Sequence, residues 1–98
     1  MDNKKVYLNG EYLALSEAKV SVLDRGFLFG DGVYEVIPAY FGKLFCFSEH
    51  LERLNKSLQA VRINLELSAE QWLDILSPLL MEGDAQYIYL QISRGVGN

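Results

Sequence analysis

Histidine, cysteine and tryptophan each occur once in this 98-residue sequence, and proline only twice. A single cysteine, Cys46, cannot close an internal disulfide, and the expectation is a reducing compartment. One histidine and one cysteine cannot build a Cys/His metal cluster. Basic residues are also few. Nine Lys and Arg stand against thirteen Asp and Glu, for a formal net charge of −4, and no Lys/Arg run exists. A nucleic-acid surface needs clustered cations, so no nucleic-acid partner is expected. No apolar run is long enough to span a bilayer, and no membrane partner is expected. The opening Met1-Asp2-Asn3-Lys4-Lys5 lacks a signal-peptide hydrophobic region. Cytoplasmic location is therefore the default expectation. Phosphate-loop, nucleophile-elbow and dinucleotide-binding patterns are missing as well.

What is present is an apolar chain of ordinary globular character. Half of its residues are hydrophobic and 12% are aromatic, including six Tyr and five Phe. That composition fits one globular domain over residues 1–98, with aromatics helping a modest core. Val6-Tyr7-Leu8 and Glu11-Tyr12-Leu13 flank Asn9-Gly10, a strong hairpin signal. The stretch Asp24 to Gly32 carries three glycines in seven residues and reads as a shaped loop without regular structure. Val33 to Tyr40 reads as a strand. Val33, Glu35, Ile37 and Ala39 share one face, and Tyr34, Val36, Pro38 and Tyr40 share the other. Both faces are mostly apolar, which predicts cover on both sides. Pro38 predicts an edge position or a bulge. Phe41-Gly42 turns the chain into a further strand, Lys43 to Phe47.

Ser48 reads as a helix N-cap, with the helix running from about Glu49 to about Val61. Phe47, Leu51, Leu54, Leu58 and Val61 form its apolar stripe. Ser68-Ala69-Glu70-Gln71 fits a capping box for a second helix, whose apolar positions are Trp72, Ile75, Leu76, Leu79 and Leu80. Pro78 should kink that helix or end it early. After a break at Gly83-Asp84, Tyr87 to Ser93 is the last strand. The order predicts an α+β domain, a mostly antiparallel sheet with two helices packed on one side. The glycine-rich Arg94-Gly95-Val96-Gly97-Asn98 reads as a connection to a further domain.

Few residues have obvious chemical potential. His50, Arg53 and Ser57 stand at i, i+3 and i+7 along one helical stripe. They form either a polar helix edge or an anion site built on the planar Arg fork. Glu35 lies among apolar neighbours, so it needs a partner, and Arg25 or Arg53 can supply one. That pair reads as a structural salt bridge or as a catalytic acid with its partner. The hydroxyls of Tyr34 and Tyr89 can bind a carboxylate, or the rings can serve only in packing.

Three blocks, in this order, resemble the class IV (fold-type IV) aminotransferases that use pyridoxal phosphate. They are Asp24-Arg25-Gly26 with Phe29-Gly30-Asp31-Gly32-Val33-Tyr34-Glu35-Val36, then His50-Leu51-Glu52-Arg53-Leu54 with Ser57, then Gln91-Ile92-Ser93-Arg94-Gly95. The resemblance covers essentially the whole chain and is nearest to D-amino-acid aminotransferase. Branched-chain aminotransferase and aminodeoxychorismate lyase are related alternatives. A cofactor-free binding or dimerisation module of the same fold is another. The resemblance implies that this is the small N-terminal domain of a homodimeric enzyme exchanging amino acids and 2-oxo acids. It implies that Arg53 binds the cofactor phosphate and that Tyr34 and Tyr89 line the substrate pocket. The family's catalytic lysine lies in a larger C-terminal domain, and Lys4, Lys5, Lys19, Lys43 and Lys56 do not match it. No catalytic residue is therefore expected in this chain, and whether the chain acts as an enzyme by itself is left open.

Overall fold

The computed structural model describes residues 4–83 and 85–96. The chain opens with the expected hairpin, β1 (Lys5–Leu8) paired antiparallel with β2 (Glu11–Ala14). Asn9 and Gly10 both take positive φ, 50° and 91°. That pair of conformations matches the right-handed twist of the strands it joins. A single 3₁₀ turn, Leu15–Glu17, follows.

The glycine-rich stretch is not an irregular loop. It holds a short helix, α1 (Arg25–Phe29). The Asp24 carboxylate accepts the free amide of Gly26 at 2.8 Å and so caps the helix start. Gly30, at φ 65°, closes the other end. The helix between these caps is too short for sequence periodicity to reveal.

β3 (Gly32–Tyr40) is the middle strand of a three-stranded antiparallel sheet, ordered β4-β3-β5. β5 (Ala85–Ser93) pairs along its whole length, from Gly32↔Ser93 to Tyr40↔Ala85. β4 is short, Lys43–Leu44, and does not reach the expected Phe47. Phe41 and Gly42 join β3 to β4 with φ of 52° and 78°. Pro38 does not interrupt the ladder. Its carbonyl points away from β5 and accepts from the Phe45 amide at 2.8 Å. The donor it lacks would point the same way, where β4 is already ending.

Two helices cover one face of this sheet. α2 spans Phe47–Ala60 and α3 spans Ala69–Leu76. Val33, Leu51, Leu54, Leu58 and Trp72 pack together, beside a second group of Ile37, Leu76 and Ile88. The expectation of cover on both sides is not met. Tyr34, Val36 and Tyr40 are exposed, as are Tyr87 and Tyr89 of β5. Both helices lie on the Val33 side, and none of the described residues covers the other. A one-residue slip of β3 would exchange the two faces, so the helices also fix the register.

α2 begins earlier than expected. Its N-cap is Cys46 in the left-handed region, without a side-chain cap, and Ser48 lies inside the first turn. Phe47 packs against both apolar groups, which draws it into the helix. α3 starts as expected. Ser68 Oγ accepts from the Gln71 amide at 3.1 Å, and Gln71 Oε1 accepts from the Ser68 amide at 2.8 Å. Pro78 ends this helix, since Ser77–Leu79 is a 3₁₀ turn. Tyr12 donates its hydroxyl to the Ile75 carbonyl, tying the β1–β2 hairpin to α3.

The start of β3 is tight. A β-carbon on Gly32 would stand 2.6 Å from the Ile92 carbonyl oxygen. Gly32→Ala should therefore push β3 from β5 and lower stability by about 1–3 kcal/mol, the usual cost of overpacking. Urea unfolding of the two proteins measures this. Equal midpoints would show that the strands do not meet as closely as described.

Candidate functional site

Alternation along β3 sends Glu35 toward the helices, where it is 5% exposed among apolar side chains. A carboxylate there requires charge compensation. α2 supplies it from two successive positions of one stripe. Arg53 donates from Nε to Glu35 Oε2 at 2.9 Å and from Nη2 to Oε1 at 2.8 Å, a two-pronged pair. His50 Nδ1 lies 2.6 Å from the same Oε1. The Arg53 hydrogen bonds hold the Glu35 carboxyl below its ordinary value against the opposing effect of burial, with His50 assisting. Glu35 in turn raises the pKa of Arg53.

Of the two cations expected to serve Glu35, Arg53 does so and Arg25 does not. Arg25 pairs with Asp31 instead, Nε to Oδ2 at 3.2 Å. His50 is a partner that sequence reasoning did not assign to Glu35, although its place on the Arg53 stripe was legible. Ser57 does not join the group. Its backbone carbonyl takes the Val61 amide at 3.1 Å.

The Arg53 side chain remains 65% exposed. A guanidinium has five N–H groups. Glu35 engages Nε and Nη2 and sets the plane of the fork. Nη1 has no partner among the described residues. A cation held in this way, with donors left toward solvent, suits an anion with several oxygens.

Tyr34 and Tyr89 come together on the other face of the sheet. Their rings are stacked, with centroids 6.1 Å apart and planes 17° from parallel. The cross-strand register places Tyr34 opposite Gln91 and Val36 opposite Tyr89. Tyr89 donates its hydroxyl to Gln91 Oε1 at 3.1 Å. Arg53 and the tyrosines therefore occupy opposite sides of one strand, with Glu35 and Tyr34 as consecutive residues pointing apart.

A second polar cluster lies where β3 begins and β5 ends. Asp31 Oδ2 accepts from Arg94 Nε at 2.6 Å as well as from Arg25. The Arg94 hydrogen bond holds the Asp31 carboxyl below its ordinary value. Ser93 donates its hydroxyl to Asp24 Oδ1 at 2.7 Å. These partners are up to 69 residues apart, and no local sequence signal joins them. Among the described residues no group of three or more His, Cys, Asp or Glu could hold a metal ion. No helix among them is long and apolar enough to cross a membrane.

The Glu35 network has a definite acid signature. Because the folded-state pKa of Glu35 lies below its ordinary value of 4.5, its contribution to stability is complete above that pH. It is lost as pH falls through the folded value. Glu35→Gln should flatten the fall of stability below pH 4.5 while lowering stability at neutral pH. Melting curves from pH 7 to pH 3 test this, and equal acid slopes for the two proteins would contradict it.

Residues 32–98 match the family model described as "Amino-transferase class IV". A D-alanine aminotransferase of Staphylococcus haemolyticus is 46% identical over 94 residues, 94% of this chain and 33% of that protein. A protein of Methanocaldococcus jannaschii described as a putative branched-chain-amino-acid aminotransferase is 42% identical over 96 residues, 96% of this chain and 33% of its own length. Among solved structures, a branched-chain aminotransferase of the thermophilic archaeon Thermoproteus uzoniensis, determined with norvaline, superposes with a TM-score of 0.75 at 28% identity. That match covers 94% of this chain and 34% of the other. The chain thus spans about a third of the length of the curated relatives it matches. With the family model matching well over half of its residues, the chain belongs to the class IV aminotransferases.

Proposed function

We propose that this chain is the small N-terminal domain of a pyridoxal-phosphate-dependent aminotransferase that exchanges amino groups between D-amino acids and 2-oxo acids. The observation that carries this reading is Arg53, a cation clamped by Glu35 and still largely open to solvent. The D-amino-acid assignment is supported by the D-alanine aminotransferase relative at 46% identity. The branched-chain relative at 42% supports a second reading, in which the same site serves a branched-chain substrate.

When bound, pyridoxal phosphate supplies the electron sink that lets an amino group leave one carbon skeleton for another. This chain's part is to bind and orient. The free donors of Arg53 would hold the phosphate, and the charge of the guanidinium persists at any working pH. Glu35 and His50 keep the fork from turning away. Tyr34 and Tyr89 would face the substrate across the sheet from Arg53, with the Tyr34 hydroxyl available to a carboxylate and Tyr89 held beside it by its bond to Gln91. Their exposed face would be closed by the larger remaining part of the enzyme and by the second subunit of a homodimer. Closure would exclude water from the polar contacts and strengthen them. None of the five lysines matches the family's catalytic lysine, which on this reading lies in the larger domain. Cytoplasmic location is part of the same proposal.

The phosphate role of Arg53 separates cleanly from a purely structural one. Arg53→Ala should weaken pyridoxal-phosphate binding by roughly tenfold or more, the loss of a charge-assisted fork. Arg53→Lys should fall between, since it keeps the charge and loses the second prong. If Arg53 served only to neutralise Glu35, both variants would melt earlier and bind cofactor as before. Cofactor titrations followed by absorbance, with a melting curve for each apo form, distinguish the two outcomes.

A further inference from the structure

α2 rests on the sheet chiefly through Leu51, Leu54 and Leu58. Apolar contacts of that kind are non-directional and leave a helix some freedom to slide or roll. Directional contacts must set its position. One lies near the middle of the helix, where Glu35 takes Arg53 and His50. The other lies at its far end. Arg94, just beyond β5, donates from Nη2 to the Val61 carbonyl and from Nη1 to the Arg62 carbonyl at 3.3 Å. These carbonyls lie where the chain leaves the helix, the end at which a cation is favoured.

Arg94 is itself held fast. Its Nε donates to Asp31 Oδ2 at 2.6 Å, and its backbone amide donates to the Asp31 carbonyl at 3.0 Å. Asp31 also accepts from Arg25. The Arg25 amide donates to the Gly95 carbonyl at 2.7 Å, and Asp24 bridges to Val96. Three segments therefore meet on one guanidinium. They are the end of α2, the α1 segment leading into β3, and the exit of β5. β3 and β5 carry Tyr34 and Tyr89, and α2 carries Arg53.

We infer that Arg94, braced by Asp31, is a positioning residue that sets α2 against the sheet and so fixes where Arg53 stands relative to Tyr34 and Tyr89. Its side chain bonds to Asp31 and to the end of α2, and it acts through Arg53. Displacements of about 1 Å are enough to matter at a site that must hold two partners in fixed geometry. Lysine cannot replace it, because one ammonium lacks the fixed fork that reaches Asp31 and two carbonyls together.

This inference rests on the proposed phosphate role of Arg53, and the test separates the two. Pyridoxal phosphate is titrated into the protein carrying this chain, and into its Arg94→Ala, Arg53→Ala and doubly substituted forms. Each is measured well below its own melting temperature. Arg94→Ala should weaken binding by roughly three- to tenfold when Arg53 is present and by less than about twofold when Arg53 is already alanine. That non-additivity is the mark of one residue acting through another. Arg94→Lys should not restore affinity. If Arg94→Ala does not fold, Asp31→Asn, which keeps the shape and removes the charge, takes its place in the same cycle. A lower melting temperature with unchanged affinity, or equal effects in both backgrounds, would overturn the positioning role. Should Arg53→Ala itself bind cofactor normally, the phosphate reading fails and the inference fails with it.

Discussion

A carboxylate inside an apolar layer is the constraint around which this domain is arranged. Glu35 sits on the covered face of β3, between Val33 and Ile37, where an uncompensated charge would be intolerable. Compensation comes from the adjoining helix and sets its rotation, because Arg53 and His50 must both point at one carboxyl group. That rotation in turn directs Leu51, Leu54 and Leu58 onto the sheet. The ion pair is only half buried, since Arg53 remains largely exposed. Its value for stability is accordingly modest, and its value for orientation is greater.

The sheet acts as a partition. Consecutive residues of β3 point to opposite sides, so Glu35 and Tyr34 serve two different environments one residue apart. On one side lies a packed helical layer with a cation at its margin. On the other lies an open aromatic face, with Tyr34 stacked on Tyr89. An exposed aromatic surface on a small domain is a surface for contact. The relatives are about three times as long as this chain, and the proposed function gives that surface to the larger part of the enzyme.

Much of this was legible in the amino-acid order. Asn9-Gly10, the Ser68 capping box and the alternation of β3 are local signals with local causes, and each took the predicted form. The apolar stripe of α2 was equally clear. What escaped had non-local causes or very short range. α1 is only five residues long, too short for periodicity, although Asp24 before it and Gly30 after it are its caps. The start of α2 was displaced by the burial of Phe47, a tertiary effect that a serine N-cap pattern cannot report. Apolar residues on both faces of β3 suggested a doubly covered strand, when one face is aromatic and open. In the site, the blocks around Glu35, Arg53 and Tyr34 were visible as residue types. The choice of Arg53 over Arg25 as the partner of Glu35 depended on how α2 meets β3. The union of Asp31 with Arg94, 63 residues apart, depended on the whole sheet.

The central claim is that Glu35 holds Arg53 in place while leaving its outer donors free for a phosphate. A crystal structure of the protein carrying this chain, grown with pyridoxal phosphate, tests it most directly. Phosphate oxygens should lie within hydrogen-bonding distance of Arg53, with both Arg53–Glu35 contacts kept. A phosphate held elsewhere, with Arg53 bonded to Glu35 alone, would contradict it.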